Sequence, residues 1–318
     1  MPVRSIAIPT RPQTDTIVAI FLVKTFGKER FPGVESAGVE VRPTLLPGEN
    51  FDSLLKSGVL ALDMAEGPLD HHYKSFCTSE LAAQYLGVEK DPSLTQLLTW
   101  SRRDDKEGKG TISRDALDRA FGLAGLISAL NKSYPREPQK IVDAVLPLLE
   151  AHWRSAKEHH VELPLDVEGQ RAKGTYQEFM VKQGAKDLKV ASVLSNKPSM
   201  PTFLRSERGG KVDVVVQKLE ASNHYSILTN QKRGVDLSKI AGLIRMREAQ
   251  LANVLVPEDD RYMTQIGRIE EVPHWYYDPA TNSLLNGGIH SKDVAESLIA
   301  LEEMLTLVKT GLEMSAGK

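Results

Sequence analysis

The chain has 318 residues, of which 41% are apolar and 26% are charged, and its formal net charge is -2 at pH 7. This composition is typical of a globular protein and excludes a disordered chain. The near-zero net charge gives no global basic field that would attract nucleic acid. A local basic groove is still compatible with this net charge. The single cysteine, Cys77, excludes an internal disulfide and a cysteine-built metal cage. A chain longer than roughly 250 to 300 residues favours two domains.

The first part of the chain alternates between apolar strand patterns and helix patterns. We predict strands over 4–9, 39–46 and 59–63, and helices over 14–26, 51–56 and 78–86. Strands separated by helices are typical of βαβ units, whose strands pair in parallel. The segment therefore predicts a parallel sheet.

The middle of the chain has helical patterns from 92 to about 160, and Asp91-Pro92 predicts a cap followed by a first-turn proline. The segment 161–174 loses this periodicity and predicts a loop. Breakers and charges over 195–210 predict a domain boundary, which gives domains at 1–190 and 196–318.

The last part of the chain begins a new pattern, with strands over 211–219 and 224–229 and a helix from Asp236 through Leu251. A closing helix is predicted from Ser291, and its apolar stripe packs onto its own domain or forms a homodimer contact. The predicted fold class is therefore α/β, with a parallel-sheet domain and helical extension followed by a smaller α+β domain.

Metal-ligating residue types cluster where the predicted strands end. In the segment 60–72, LALDMAEGPLDHH, a short apolar run is followed by Asp63 and then by Asp70, His71 and His72. Asp15 falls in the first turn of the helix after the first strand. The carboxyl ends of parallel strands meet at one edge, where buried carboxylates and imidazoles require a partner or a metal.

Two further carboxylates, Asp104 and Asp105, stand where a helix runs into a glycine-rich turn. Asp15, Asp63, His71 and one of these two aspartates give one imidazole and three carboxylates. Such a set suits Mn²⁺ or Mg²⁺ better than structural zinc. The sequence does not distinguish Asp104 from Asp105, because both fit the preceding helix.

The order of an early aspartate, an aspartate after a strand, Asp-His-His and a late aspartate resembles the DHH phosphoesterase superfamily. RecJ-like exonucleases, oligoribonucleases and manganese pyrophosphatases belong to that superfamily. The resemblance covers roughly 4–130 and implies that Asp15, Asp63, His71 and Asp104 or Asp105 bind metal. It also implies that His72 contacts a substrate phosphate and that Asp70 orients His71.

The first motif departs from the superfamily's pattern, HxxxDxD. Pro9 stands where the pattern has histidine and Gln13 stands where it has its first aspartate. One of two metal positions is therefore depleted of ligands, and Arg11 is a candidate to act as a fixed cation on phosphate. Slower hydrolysis with one ion and loss of hydrolysis are both compatible with this change.

Near the C-terminus, LLNGGIH over 284–290 resembles part of the glycine-rich motif of the DHHA1 domain. The resemblance implies that Gly287, Gly288 and His290 hold the end of a substrate. Arg245 belongs to a set of basic residues that are candidates to follow a phosphate backbone.

The predicted function is metal-dependent hydrolysis of nucleotidyl phosphoesters, with short RNA or DNA as substrate. The alternatives are a member that binds a nucleotide, nucleic acid or protein without cleavage, and a pyrophosphatase-like hydrolase of small phosphates. The N-terminal segment is unlike a signal peptide, and no run is as long as a membrane span. We therefore expect a cytoplasmic protein without membrane partners.

Overall fold

The chain divides into two units, Met1–Val161 and Glu162–Lys318. The structure, a computed structural model, describes residues 1–72, 74–108, 113–257, 259–287 and 293–315. The predicted boundary between 190 and 196 differs from this division. Two strands within 177–194, which were not predicted, belong to the sheet of the second unit. The boundary consequently precedes these strands instead of following them.

The first unit contains a three-stranded sheet in the order β2-β1-β3. Its strands are β1 (Ser5–Ile8), β2 (Gly38–Val41) and β3 (Val59–Ala61). Ser5 pairs with Gly38 on one side and Val59 on the other, and both pairings are parallel. The predicted α/β class with a parallel sheet is confirmed, and the carboxyl ends of all three strands lie at one edge.

Helices surround this sheet, and the first of them is almost wholly buried. They are α1 (Thr14–Phe26), α2 (Phe51–Lys56), α3 (Thr78–Leu86), α4 (Thr95–Glu107), α5 (Ala116–Phe121), α6 (Leu123–Ser133) and α7 (Pro138–Lys157). Every residue of α1 from Thr14 to Val23 is buried, as in a helix that packs on all sides. The predicted start of α4 at Pro92 is wrong, because Asp91 caps a separate turn by accepting from Ser93 N.

The second unit contains a six-stranded sheet in the order β4-β5-β6-β7-β9-β8. The strands are β4 (Gln177–Gln183), β5 (Lys186–Leu194), β6 (Val214–Lys218), β7 (Tyr225–Thr229), β8 (Trp275–Asp278) and β9 (Ser283–Asn286). The β5–β6 pairing is parallel and the other pairings are antiparallel. This mixed sheet with its helices gives the unit the predicted α+β character.

The helices of the second unit correct two predictions. They are α8 (Leu163–Lys173), α9 (Met200–Arg205), α10 (Ser238–Ala252), α11 (Asp260–Met263) and α12 (Leu301–Met314). The predicted loop over 161–174 is mostly helix, because Leu163 and Val167 pack in an apolar cluster. The closing helix begins at Leu301 rather than Ser291. No helix among the described residues is long and apolar enough to cross a membrane.

A buried carboxylate joins three segments of the second unit. Glu248 on α10 is fully buried and accepts from Trp275 Nε1 at 2.8 Å, from Leu298 N at 3.0 Å and from Ser297 Oγ. His274 Nε2 lies 3.4 Å from its second oxygen. Burial raises the pKa of Glu248, but these hydrogen bonds outweigh burial and bring the pKa below its ordinary value.

Candidate metal centre

Asp15 and Asp63 occupy the carboxyl edge of the parallel sheet, as predicted from their positions after strands. Asp15 lies in the first turn of α1, only 3% exposed, and Asp63 follows β3 and is 8% exposed. Asp63 Oδ1 is buried and accepts no hydrogen bond within the described part of the chain. A buried carboxylate oxygen without a donor is costly, so this edge requires a cation or another donor.

The loop after β3 holds several residues in left-handed backbone conformations. The φ angles of Asp63, Ala65 and Glu66 are 59°, 70° and 49°. This conformation costs roughly 1–2 kcal/mol for most residues, although aspartate adopts it more easily. The loop is closed by hydrogen bonds from Asp63 N to Leu69 O at 2.9 Å and from Glu66 N to Asp70 Oδ2 at 3.0 Å. Strained backbone therefore sets the position of the carboxylates.

His71 lies between the two edge carboxylates. Its Nδ1 is 3.2 Å from Asp63 Oδ1, 3.5 Å from Asp15 Oδ2 and 2.8 Å from Thr78 Oγ1. Adjacent ligand atoms on an octahedral ion with bonds of about 2.1 Å are separated by about 3 Å. The spacing of these side chains therefore fits a shared small divalent ion.

Asp70 contacts His72 rather than His71, which corrects the predicted orienting role. Its Oδ1 lies 2.7 Å from His72 Nδ1 and accepts from His72 N at 3.1 Å. Burial raises the pKa of Asp70, but the bonds with His72 and Glu66 outweigh it, so the pKa lies below its ordinary value. The His72 side chain is 54% exposed. Asp70 therefore presents a fixed imidazole to solvent.

The two adjacent aspartates at the end of α4 differ in their positions relative to His71. Ligand atoms of Asp105, Asp15 and His71 all lie within 4.8 Å of one another, and those of Asp63, Asp70 and His72 form a second such group. Asp104 is not in either group, although it is only 5% exposed. Of the two, Asp105 is therefore the one that lies beside Asp15 and His71, and the ligand role stays a prediction.

Charge interactions within the cluster shift the pKa values in opposite directions. Burial raises the pKa of Asp15, but contacts with His71 and with the Thr16 and Thr78 backbone outweigh it, so the pKa falls. Burial and the nearby Asp15 carboxylate raise the pKa of Asp63 despite both histidines. The contact with Asp15 raises the pKa of His71 against burial. The cluster therefore favours a positive charge at its centre.

Residues of the segment between β1 and α1 line the space around this cluster. Arg11 is exposed and lines a small cavity that also contacts Asp15 and Asp105. Pro9 lines a separate groove of about 470 Å³ together with Asp63 and His72. The proline side chain offers no ligand atom, so Pro9 adds no side-chain metal ligand to this groove.

The second unit holds the remaining predicted site residues, and one prediction there is wrong. Arg245 is fully buried and its guanidinium donates to the backbone oxygens of Met263, Gln265 and Gly267. It stabilises the segment after α11 and is not accessible to a substrate. Gly287 follows β9 with φ 74°, a left-handed conformation suited to glycine.

The predicted residues Gly288 and His290 lie outside the described residues. Their substrate-binding role stays a prediction.

Sequence reasoning missed two buried polar residues of this region. Thr78 begins α3, is fully buried, and places its hydroxyl against His71. Asn131 on α6 is 5% exposed and lines the small cavity with Asp15. A sequence signal exists for Asn131, because it is a polar residue four positions after Ile127 on the apolar stripe of the helix.

Comparisons with known proteins include a weak similarity to a solved structure. No protein-family profile matches the chain, and no curated protein does. The chain is similar to a solved structure described as a DHH domain of a member of the s1p family of ribosomal proteins. The identity is 13%, the TM-score is 0.30, and the alignment covers 98% of this chain and 87% of that one. At these values the similarity does not establish a shared fold or function.

Proposed function

We propose that the chain is a divalent-metal-dependent hydrolase of nucleotidyl phosphoesters such as short RNA or DNA. The observation that carries this proposal is the pair of carboxylate–imidazole groups at the sheet edge, each with its ligand atoms within 4.8 Å. Orphaned Asp63 Oδ1 supports a cation there. The resemblance to DHH phosphoesterases supports the choice of nucleotidyl substrates.

Asp15, Asp63, His71 and Asp105 would hold the ion. Hard carboxylate oxygens with one imidazole favour Mn²⁺ or Mg²⁺ over structural zinc, which prefers cysteine and histidine. A divalent ion at this position supplies Lewis acidity to a phosphoryl oxygen. The buried side chains exclude most water from one side of the site and leave the His72 side open.

His72 and Arg11 would act on the substrate's phosphate. His72 Nδ1–H donates to Asp70 Oδ1, which would leave Nε2 available to contact a phosphate oxygen. In its protonated form, Nε2–H donates to a non-bridging oxygen, where negative charge develops. Arg11 is exposed beside Asp15 and supplies a fixed positive charge. Both side chains are accessible to a phosphate at this edge.

A second candidate function is binding of a nucleotide or oligonucleotide without cleavage. The observation that favours it is Pro9, which lines the groove beside Asp63 and offers no ligand atom. A two-ion mechanism uses both ions to stabilise an in-line displacement, so the loss of ligands weakens hydrolysis more than binding.

The test is hydrolysis of end-labelled short RNA and DNA, with pyrophosphate as a further substrate, in the presence and absence of Mn²⁺. Asp63→Asn removes the central charge while keeping a residue that adopts the left-handed conformation. The matched control is Asp52→Asn, which changes an exposed carboxylate in the first turn of α2.

Mn²⁺-dependent oligonucleotide cleavage that is lost in D63N and kept in D52N supports the proposal. Intact oligonucleotides with wild-type protein contradict it. Fluorescence anisotropy of a labelled oligonucleotide then tests the binding candidate, and cleavage of pyrophosphate alone redirects the function to small phosphates.

A further inference from the structure

Strand β4 (Gln177–Gln183) forms one edge of the six-stranded sheet, and its outer side is unpaired. Its register with β5 is continuous over the whole strand, and no backbone hydrogen bond joins its other side to any residue that the structure describes. The opposite edge differs, because β8 is covered by an isolated bridge in which Gly267 and Tyr277 exchange both backbone hydrogen bonds. An edge strand without a proline or a bulge is a template for a further strand.

The tight turn after β4 determines which of its backbone groups point outward. Gln183 pairs with Lys186 across a two-residue turn whose glycine has φ 60°. The residues that flank such a turn form a hydrogen-bonded pair, because the carbonyl of the first accepts from the N–H of the fourth. This pattern alternates along an antiparallel strand, so Gln183 and every second residue before it bond to β5. The N–H and C=O groups of Glu178, Met180 and Lys182 therefore face outward.

The sequence of β4 is complementary to itself when the second copy runs in the opposite direction. Its residues, QEFMVKQ, place a glutamine at each end, opposite charges at the second and sixth positions, apolar residues at the third and fifth, and Met180 at the centre. When two such strands pair antiparallel about a two-fold axis at Met180, Glu178 of each copy lies opposite Lys182 of the other. A shift of the register by two residues loses both charge pairs. The pattern therefore specifies one register.

The side chains of β4 are suited to a second copy on both faces of the sheet. On one face Met180 is 59% exposed, and Glu178 and Lys182 are exposed beside it. On the other face Phe179 is half-buried and packs against the apolar cluster that contains Val181. In the two-fold pair, Phe179 of one copy lies opposite Val181 of the other. Aromatic and β-branched side chains are a favourable cross-strand pair.

The carboxylate of Glu178 is charged and can accept a further bond. It accepts from Tyr176 Oη at 2.8 Å, and its other oxygen lies 3.2 Å from Lys189 Nζ. Burial raises the pKa of Glu178, but the bonds with Tyr176 and Lys189 outweigh burial, so the pKa lies below its ordinary value. A carboxylate has about four acceptor positions, so these contacts leave room for a lysine of another copy.

We propose that two copies of this chain pair through β4, antiparallel about a two-fold axis at Met180, so that their six-stranded sheets join edge to edge into one continuous sheet. The backbone groups of Glu178, Met180 and Lys182 supply the hydrogen bonds, and the two Glu178–Lys182 pairs set the register. A second copy fits this edge better than an unrelated strand, because the same short segment supplies both members of each charge pair. The proposal uses residues of the second unit alone and does not depend on the proposed function.

Sedimentation velocity of the full chain at increasing concentration measures the association. Wild type changes from the 35.2 kDa monomer to a species of twice that mass. Lys182→Glu weakens the dimer by about 10- to 100-fold, because both attractive cross-strand pairs become repulsive. The matched control is Lys309→Glu, which makes the same charge change at an exposed lysine of α12 and leaves the association unchanged.

Met180→Pro tests the backbone hydrogen bonds of the pairing. Proline is tolerated on an edge strand where its missing N–H would face outward, so the ladder between β4 and β5 stays intact. The variant loses a donor at the centre of the pairing, and the dimer weakens. Circular dichroism checks its fold, and the result with Lys182→Glu stands if Met180→Pro unfolds.

A disulfide locates the two-fold axis. Met180→Cys places the two new thiols on a hydrogen-bonded pair, whose Cα atoms are about 5.5 Å apart, within the range that a disulfide spans. Lys182→Cys is the matched control, because its two copies lie about 13 Å apart along the strands and cannot be bridged. Cys77 is fully buried and does not compete for oxidation.

A wild-type dimer that weakens in K182E but not in K309E, with faster cross-linking of M180C than of K182C, supports the proposal. A chain that stays monomeric at every concentration overturns it. A dimer that K182E keeps, or that K309E weakens equally, lies on another surface and also overturns it. Equal cross-linking of M180C and K182C reports random collision and refutes the two-fold pairing at Met180.

Discussion

Replacing Glu248 by glutamine should destabilise the second unit by about 3–5 kcal/mol. The fully buried carboxylate accepts from Trp275, Ser297 and Leu298, with His274 close to its second oxygen. Hydrogen bonds to a charged acceptor contribute about 1.5–3 kcal/mol each, and an orphaned buried donor costs about 1–3 kcal/mol. Glutamine has one acceptor oxygen, so its amide NH₂ must face at least one of these donors.

The assay is urea unfolding at pH 7, followed by circular dichroism and by tryptophan fluorescence. The matched control is Glu303→Gln. Glu303 forms an ion pair with Arg247 at 2.6 Å, but both side chains are more than one third exposed. An exposed pair contributes about 0–1 kcal/mol, so this control should change little. A loss below 1 kcal/mol in E248Q would refute the reasoning about the buried carboxylate.

The loss of stability in E248Q should also depend on pH. Because the folded-state pKa of Glu248 lies below its ordinary value, the charged carboxylate contributes stability above the pKa of the unfolded chain, about 4.3. This contribution is lost as pH falls through the folded-state pKa. The stability difference between wild type and E248Q should therefore be constant above about pH 5 and should narrow below about pH 4. A difference that widens in acid would contradict the assigned sign.

Four further tests address other parts of the structure. Ala65→Gly should raise the free energy of unfolding by about 0.5–1 kcal/mol, because glycine relieves the left-handed backbone; a decrease would show that no strain is stored there. Gly311→Ala should lower it by about 1–3 kcal/mol, since the new Cβ would lie 2.7 Å from Ile240 Cγ1. Gly169→Ala, a helical position with open space, should instead raise it by about 0.5–1 kcal/mol, and urea unfolding measures all three variants. Mn²⁺ at a hundred times its Kd should stabilise the chain by about 2.7 kcal/mol in thermal unfolding, and an equal shift in D63N would contradict the ligand assignment.

The parts of the fold that were predicted correctly have strong local signals. The helix expected over 14–26 is present as Thr14–Phe26, and the one over 78–86 as Thr78–Leu86, because each carries apolar residues at helical spacing with glycine directly after it. The three N-terminal strands were also located, since alternating strands and helices constrain a parallel sheet strongly.

The missed elements depend on distant contacts or on an overlooked turn. The strands β4 and β5 meet at Gly184 and Ala185, a two-residue turn whose glycine has φ 60°. That turn is a recognisable hairpin signal, and its omission displaced the predicted domain boundary. The error in the predicted start of α12 has a different cause. The segment before it is held by Glu248 through Ser297 and Leu298 instead of forming helix.

The candidate site was predictable in its residue types but not in its contacts. The sequence places Asp15, Asp63 and His71 at one edge, and the structure brings them together. The sequence alone does not show that Asp70 contacts His72, or that Asp105 rather than Asp104 approaches His71. Those distinctions depend on the path of a loop and on the rotation of one helix, and neither follows from residue spacing.

The burial of α1 has a consequence for the kinetics of ion uptake. Asp15 is anchored to a helix packed on all sides, Asp63 belongs to a loop closed by its own hydrogen bond to Leu69, and His71 contacts Thr78. A ligand set that is preorganised in this way pays little conformational entropy when an ion arrives. Ion association should therefore be limited by the rate at which the aqueous ion sheds its own water, so Mg²⁺, which dehydrates reluctantly, should enter more slowly than Mn²⁺.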